Sequence, residues 1–333
     1  MSRTNRNLIT DVAGISVGNA QDLRIKSGVT AILCDEPAVA AVQVLGGAPG
    51  TRETDLLEPH NTVETINGIA LSGGSAFGLD AATGVQAWLS EAGHGFMVGP
   101  HRIPIVPAAI LFDLINGGNK DWGRYGPYRE LGFEAAENAG KDFRLGSEGA
   151  GTGALTADFK GGLGSASDRT EAGITIGALV AANPLGSVTI GDTKHFWAAP
   201  FEKNAEFGGL GLPSPLPAST SGLKIKFRDM MREGANTTIA VIATDAVLDK
   251  AGAKRLAIAA HDGFTRAIWP SHTPMDGDLV FALATGKSGI KPDMNALIDL
   301  CALASATMAR AIARGIYEAG GLEGDPMPAW QNC

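Results

Sequence analysis

The tripeptide Asn236-Thr237-Thr238 has the residue types of a nucleophile that is activated by cutting the chain. If the bond between Asn236 and Thr237 were broken, Thr237 would carry a hydroxyl group and an α-amino group on adjacent carbons. An unperturbed α-amino group titrates near ~8, so it could accept the hydroxyl proton at neutral pH without a histidine. The same hydroxyl could make the cut by attacking the Asn236 carbonyl. The alternative is a β-branched pair that only begins a strand.

A pair of carboxyl groups flanks Gly277, just before another apolar segment. Asp276 and Asp278 could orient an ammonium group, bind a cation or share a proton. A substrate amine or a new chain terminus would suit them, and an aspartate-rich turn is the alternative. A metal site would need more ligands nearby, and the sequence has neither an HExxH motif nor an aspartate-rich calcium loop. We therefore expect no metal and no cofactor.

Further candidate side chains lie in glycine-rich or turn-like settings. Lys160, between two glycine-rich segments, could be a buried cation near a reaction centre or an exposed turn lysine. The Asn183 amide precedes a proline and could donate to an oxyanion or simply occupy a turn. Gly74 and Ser75 could form a wall of a substrate pocket or only a structural turn. They do not form a nucleophile elbow, because that motif needs glycine where Phe77 stands.

Short apolar strands and three helices must position these side chains. The pattern predicts strands over residues 29–34, 38–44, 174–181, 238–244 and 279–284. Apolar residues at helical spacing predict helices over 77–92, 249–268 and 292–319, and the last is apolar on almost every side, which is typical of a buried helix. Residues 195–233 are rich in turn residues and predict a surface loop or flexible connector. Continuous apolar strands with buried helices favour a layered α/β or α+β fold.

Composition and charge exclude several classes of protein. Hydrophobic residues are 44% of the chain and charged residues 19%, so the chain can bury a core and is not wholly disordered. The net charge of −8, with no run of five like charges, argues against a nucleic-acid-binding face. Three widely separated cysteines predict neither a disulfide framework nor a zinc site. The absence of an apolar leader and of an uncharged stretch of ~18 residues predicts a cytoplasmic protein that does not enter a membrane.

Six motifs follow one another along the chain. They are GGAPGTRETD at 46–55, GGSAFGLD at 73–80, GAGTG at 149–153 with Lys160-Gly161-Gly162, Asn183-Pro184, Asn236-Thr237-Thr238, and His272-Thr273 with Asp276-Gly277-Asp278. This series resembles the self-processing L-aminopeptidase/D-esterase and β-peptidyl aminopeptidase family, which includes the nylon-oligomer hydrolases. The resemblance covers about residues 9–320, which is nearly the whole chain.

The resemblance implies an α+β fold, a four-layer αββα sandwich related to that of ornithine acetyltransferase. It implies a single domain over 1–333 that cleaves itself into an α piece, 1–236, and a β piece, 237–333, with Thr237 as the nucleophile. Matching positions put Lys160 and Asn183 beside Thr237, with Asn183 as the oxyanion donor. The same match has Asp276 and Asp278 orienting the new amine. Members are commonly homo-oligomers of αβ units, often tetramers.

Two positions depart from the family pattern. Many aminopeptidase members have serine as the nucleophile, whereas Asn236-Thr237 is closer to the nylon-oligomer branch. In that branch a tyrosine lies near the site on the strand that matches residues 110–113, and Phe112 stands there instead. The role of that tyrosine hydroxyl is therefore open in this chain. The positions assigned to the substrate pocket are Gly74, Ser75, Phe112 and Thr238.

We therefore expect a self-activating amide hydrolase, an aminopeptidase for small peptides or peptide-like amides with an accessible amine. One alternative is an acyltransferase of the ornithine acetyltransferase type, which passes the acyl group from Thr237 to an amine instead of water. The other is an uncleaved, non-catalytic relative that serves as a binding or scaffold protein. The sequence does not distinguish α-peptides, β-peptides, D-amino-acid esters and aminohexanoate oligomers as substrates.

Overall fold

The computed structural model describes residues 6–227 and 236–333, which contain eleven strands and four α-helices. The strands are β1 (Ile15–Asp22), β2 (Ser27–Val44), β3 (Thr51–Arg52), β4 (Thr65–Ser72), β5 (Phe96–Val98), β6 (His101–Ile103), β7 (Ala108–Ile110), β8 (Gly162–Arg169), β9 (Thr175–Ala182), β10 (Ile239–Thr244) and β11 (Leu279–Ala284). The helices are α1 (Ala81–Glu91), α2 (Tyr128–Glu137), α3 (Lys250–Thr265) and α4 (Met294–Tyr317).

Nine of these strands form one sheet, in which β2 joins two halves. The order is β3-β7-β4-β2-β11-β10-β9-β8, and β1 also pairs with β2. The first part of β2 pairs with β1 and β4, and its last part pairs with β11. The register shifts between Leu33 and Ala38, where exposed polar residues interrupt the apolar pattern. The two strands predicted over 29–34 and 38–44 are therefore one continuous strand with an irregularity.

Three apolar clusters separate four layers of secondary structure. In the middle cluster, side chains from β1, β2, β4 and β7 meet side chains from β8, β9, β10 and β11, so the two halves of the sheet face each other. The two outer clusters pack α3 and α4 against one half and α1 and α2 against the other. Along β10, Ile239 and Val241 lie in the middle cluster while Ala240 and Ile242 face the helices. The predicted α+β, four-layer αββα sandwich is confirmed.

Aspartate side chains cap the two helices on the β8–β11 side. The Asp249 carboxylate accepts a hydrogen bond from Gly252 N–H at 2.7 Å, and that of Asp293 accepts one from Ala296 N–H at 2.9 Å. Both helices fall within their predicted ranges. By length and composition α4 could also span a membrane, but more than half of its most apolar stretch is buried within the protein, as in a core helix.

The opposite helical layer differs from its prediction. Residues 75–80 form a 3₁₀ helix, so α1 begins at Ala81 instead of near residue 77. The sequence does not predict α2, because the small residues Gly132, Ala135 and Ala136 provide much of its buried face. Small residues carry little of the periodic signal by which an amphipathic helix is found.

The described part of the predicted connector, residues 195–227, contains neither a strand nor an α-helix. Phe196 and Phe207 are nevertheless buried in the cluster that holds α3 and α4. This part of the connector is therefore packed against the body of the protein and is not a loose surface loop. Residues 228–233 of the predicted connector lie outside the described residues.

Candidate active site

Three chain segments that carry predicted site residues meet at one edge of the sheet. Strand β9 runs antiparallel to β10, and β11 runs parallel to β10. The end of β9 and the starts of β10 and β11 therefore lie side by side. Asn183 directly follows β9, Thr237 lies just before β10, and Asp278 directly precedes β11. The topology alone brings these residues together.

The Thr237 side chain lies against the carbonyl group of the preceding peptide. Thr237 is only 3% exposed, and its Oγ1 donates to the carbonyl oxygen of Asn236 at 2.6 Å. The same carbonyl oxygen accepts a hydrogen bond from Gly277 N–H at 2.8 Å. Thr237 N–H donates to the carbonyl oxygen of Asn183 at 3.1 Å. Hydrogen bonds therefore fix both the hydroxyl group and the peptide bond that it would attack.

The buried Asp278 carboxylate joins the start of β10 to a pair of histidines. Its Oδ1 accepts from Thr238 N–H at 2.9 Å, and its Oδ2 lies 2.9 Å from His272 Nδ1. The His272 ring packs against the ring of His261, with centroids 4.8 Å apart. Burial lowers the pKa of His261 to about 4, and its Nε2 lies 2.9 Å from the carbonyl oxygen of Gln43. The Asp278 carboxylate is thus held against Thr238, the residue that follows Thr237.

The Asp276 carboxyl group is held in place by main-chain and hydroxyl donors. Its Oδ1 accepts from Leu185 N–H at 3.1 Å, and its Oδ2 accepts from Thr273 N–H at 3.0 Å and from Thr273 Oγ1 at 2.6 Å. Burial, followed by the nearby charge of Asp278, raises the pKa of Asp276 above its ordinary value. The two predicted carboxyl groups are therefore close together and buried, and Asp278 is the one that contacts the Thr237–Thr238 segment.

Both ends of the Asn183 side chain make hydrogen bonds in this uncleaved chain. Its Oδ1 accepts from Leu155 N–H and from Lys226 Nζ, both at 2.9 Å, and its Nδ2 donates to the carbonyl oxygen of Phe112 at 3.0 Å. Asn183 therefore lies beside Thr237, as predicted, but contacts it through its main-chain oxygen. The main-chain donor on the Asn236 carbonyl oxygen is Gly277 N–H, and the Asn183 side chain makes no described hydrogen bond to that oxygen.

Lys160 is fully buried, which rules out the exposed turn lysine considered from sequence. Its Nζ donates to the carbonyl oxygen of Thr152 at 3.0 Å and pairs with Asp325 at 3.2 Å, and Lys26 pairs with the same carboxylate at 2.9 Å. Burial lowers the pKa of Lys160, although Asp325 opposes this effect. Among the described residues, these side-chain interactions join Lys160 to Thr152 and to Asp325 near the C-terminus, and no hydrogen bond joins it to Thr237.

The predicted pocket residues Gly74, Ser75 and Phe112 lie on the neighbouring sheet edge. Phe112 reaches the site through its carbonyl oxygen, which accepts from Asn183. Gly74 N–H donates to the buried carboxylate of Asp113 at 2.8 Å, directly after Phe112. Both Gly74 (φ 84°) and Ser75 (φ 53°) adopt left-handed backbone conformations, which is unusual for serine. These residues form a turn beside Phe112, and only Thr238 of the predicted pocket set is joined to Asp278.

Tyr128 lies near this turn, and its hydroxyl could in principle replace the one that Phe112 lacks. The buried Tyr128 hydroxyl donates to Ser27 Oγ at 3.2 Å, and Ser27 Oγ donates to Asp113 at 2.6 Å. Burial raises the pKa of Asp113. The Tyr128 hydroxyl is therefore committed to this neighbouring cluster, and among the described residues no hydrogen bond links it to Thr237.

The sequence pattern left two groups in the site without a role and did not indicate a third. The Gly277 N–H, within the Asp-Gly-Asp motif, and His272, at the start of the same segment, had no assigned role. Lys226 was not singled out at all, yet it is buried and its Nζ contacts Asn183. A glycine between two functional carboxylates is a usable signal of close approach. A single lysine in a turn-rich segment carries no such signal. Within the described residues, no three His, Cys, Asp or Glu side chains are grouped to hold a metal ion.

Comparison with known sequences gives one family and several relatives. The profile of peptidase family S58 matches residues 7–327. An uncharacterized aminopeptidase of Mycobacterium tuberculosis is 40% identical over 338 aligned residues, which cover 96% of each chain. A 6-aminohexanoate-oligomer endohydrolase of Kocuria is 27% identical, with 83% of this chain and 74% of the relative covered.

Solved structures show the same fold. A β-aminopeptidase of Burkholderia superposes with a TM-score of 0.72 at 23% identity, covering 99% of this chain and 92% of the other. The L-aminopeptidase D-Ala-esterase/amidase of Ochrobactrum anthropi, described as a variant of the Ntn-hydrolase fold, superposes with a TM-score of 0.70 at 23% identity, covering 97% and 90%.

Proposed function

Because the chain belongs to peptidase family S58 and is an aminopeptidase-type hydrolase, we propose that it cuts its own Asn236–Thr237 bond and that Thr237 then acts as an N-terminal nucleophile. The observation that carries the proposal is the geometry at this bond. The Thr237 hydroxyl is 2.6 Å from the oxygen of the carbonyl group that it would attack, and Gly277 N–H already holds that oxygen at 2.8 Å.

Self-cleavage would proceed by an acyl shift from nitrogen to oxygen. Thr237 Oγ bonds to the Asn236 carbonyl carbon, the bond from that carbon to Thr237 N breaks, and the hydroxyl proton ends on the nitrogen. Gly277 N–H stabilises the negative charge that develops on the carbonyl oxygen. Water then hydrolyses the ester, which leaves a carboxylate on Asn236 and an α-amine on Thr237.

The mature site would use the same groups on an external amide. Thr237 Oγ attacks the substrate carbonyl, and the Thr237 amine accepts the hydroxyl proton because it lies on the adjacent carbon. Gly277 N–H can hold the substrate oxygen in the position that the Asn236 oxygen occupies now. Asn183 Nδ2 donates one N–H to the Phe112 carbonyl, and its second N–H can supply a second donor. Asp278, bonded to the next main-chain N–H, lies where a carboxylate would orient the charged amine.

We propose a small peptide or peptide-like amide with an accessible amine as the substrate class. The relatives named aminopeptidase and 6-aminohexanoate-oligomer endohydrolase support an amide of this kind. Two buried carboxyl groups, Asp276 and Asp278, next to a neutral hydroxyl nucleophile also favour a substrate that carries positive charge.

The test compares wild-type protein with Thr237→Ala on aminoacyl p-nitroanilides, with and without an added amine acceptor. We expect wild-type protein to release p-nitroaniline without an acceptor and the variant to release none. Release that requires the acceptor would instead support an acyltransferase. Equal release by the two proteins would contradict Thr237 as the nucleophile.

A further inference from the structure

Lys226 is a buried lysine in the connector whose side chain ends inside the active site. Its main-chain N–H donates to the carbonyl oxygen of Leu185 at 2.9 Å, which fixes this part of the connector against the body. Its Nζ donates to the carbonyl oxygen of Leu155 at 2.8 Å, to Asn183 Oδ1 at 2.9 Å and to the carbonyl oxygen of Asn183 at 3.3 Å. Three oxygen acceptors match the three N–H groups of an ammonium ion.

The Asn183 carbonyl oxygen connects this lysine to the bond that is cut. It accepts from Lys226 Nζ and also from Thr237 N–H, at 3.3 Å and 3.1 Å. Lys226 therefore donates to both oxygen atoms of Asn183, and the main-chain oxygen of Asn183 accepts from Thr237 N–H, the nitrogen of the bond that is cut. The other donor to the Asn183 side-chain oxygen is Leu155 N–H, a neutral group. Charged hydrogen bonds are the stronger kind, so the ammonium form of Lys226 is the stronger of the two donors to this oxygen.

The environment of Lys226 makes its charge sensitive to pH near neutrality. Burial lowers the pKa of Lys226 to about 7, while the carboxyl groups of Asp276 and Asp113 raise it by less. Its three hydrogen-bond partners are all neutral oxygens. As pH rises through about 7, the ammonium form is lost and with it one of the three donated hydrogen bonds.

We propose that Lys226 is a positioning residue for self-cleavage, so that the connector carries the group that aligns its own cutting site. This inference rests on the self-cleavage proposed above. The ammonium group orients Asn183, and Asn183 in turn holds Thr237 N while the acyl group moves to Thr237 Oγ. Lys226 neither gains nor loses a proton in that step, because the hydroxyl proton ends on Thr237 N.

The test measures the rate of self-cleavage after pulsed cell-free synthesis, for wild-type protein and Lys226→Met, at several pH values. At about pH 6 the variant should cleave about ten- to a hundredfold more slowly, the range expected for losing a charged hydrogen bond. The ratio of wild-type to variant rates should fall at least about fivefold by about pH 8.5, because the wild-type ammonium is then mostly neutral. The ratio cancels the pH dependence of groups that both proteins share and that do not interact with Lys226.

Lys224→Met is the matched control on the same segment. Lys224 pairs with Asp158 and Asp192 at a partly exposed site and does not contact Asn183 in the described structure. Its rate ratio to wild-type protein should be near one and independent of pH. If Lys226→Met fails to fold by circular dichroism, Lys226→Arg replaces it, and its permanent charge predicts a ratio of variant to wild-type rates that rises with pH.

Three results would overturn the inference. A Lys226→Met rate equal to that of wild-type protein would show that Lys226 has no role. A slower rate with the same ratio at every pH would indicate a merely structural role. Wild-type protein that stays in one piece would contradict the proposed self-cleavage itself, whereas the first two results leave self-cleavage intact.

Discussion

Gly277→Ala would place a methyl group directly against the nucleophile. A Cβ atom built at Gly277 would lie 2.7 Å from Thr237 Oγ1, 3.0 Å from Thr237 Cγ2 and 2.7 Å from the carbonyl oxygen of Ala48. Two of these distances are shorter than real Cβ contacts, and one neighbour is rigid main chain. The methyl group must therefore displace Thr237, the Asp276–Asp278 segment or both.

The cost has one part for stability and one part for chemistry. Overpacking of this kind typically lowers the free energy of unfolding by about 1–3 kcal/mol. The Gly277 N–H also loses its alignment with the Asn236 carbonyl oxygen, now at 2.8 Å. Loss of one oxyanion donor slows catalysis by about 10²–10³-fold, so we expect self-cleavage to slow by at least about 100-fold.

Gly68→Ala is the control for this experiment. Its Cβ would lie 2.8 Å from the carbonyl oxygen of Ile32, a similar overlap with main chain inside the sheet and away from Thr237. Pulsed synthesis followed by gel electrophoresis gives the cleavage rate, and chemical denaturation of an uncleavable background gives the stability. We expect similar losses of stability in the two variants but slow cleavage in Gly277→Ala alone. Equal cleavage rates in the two variants would refute the assignment of Gly277.

Two further predictions concern Asn183 and His261. Asn183→Ala leaves the buried Leu155 N–H without an acceptor and removes one of the three acceptors of the Lys226 ammonium. Substrate turnover should therefore fall by about 10²–10³-fold and the free energy of unfolding by about 1–3 kcal/mol, measured by steady-state kinetics and urea denaturation. Unchanged values would contradict the site. Burial lowers the pKa of His261 from 6.5 to about 4, so the unfolded chain binds the proton more readily and acid removes stability between these values. Between about pH 6.5 and pH 4, wild-type protein should therefore lose up to about 3 kcal/mol of its free energy of unfolding that His261→Phe retains. Parallel plots of unfolding free energy against pH for the two proteins would contradict this.

The layered architecture was predictable because its signals are local and continuous. Strands such as β10 and β11 read as apolar runs, and helices such as α4 are apolar on nearly every side. The joining of both sheet halves by β2 was not predictable, because exposed polar residues interrupt that strand. Helix α2 was missed for a related reason, since it approaches α1 through Gly84 and Gly132, which carry no hydrophobic signal.

The candidate site was predictable only where its residues are close together in the sequence. Asp276 and Asp278 flank one glycine, and the Asn236-Thr237 pair comes just before an apolar run, so both motifs are recognisable from local sequence alone. The partner of Lys160 is Asp325, far along the chain, and a contact of that range depends on the folded topology. Lys226 is the clearest case, because its chemistry comes from burial against Asn183 and not from its neighbours in sequence.

The most direct test is the covalent structure of the purified wild-type protein. Intact mass spectrometry and N-terminal sequencing after incubation at neutral pH should give two chains, one that ends at Asn236 and one that begins at Thr237. Thr237→Ser should give the same two chains with serine at the new terminus, and Thr237→Ala should remain whole. A preparation that hydrolyses substrate while it contains only the uncut 34.2 kDa chain would contradict the account.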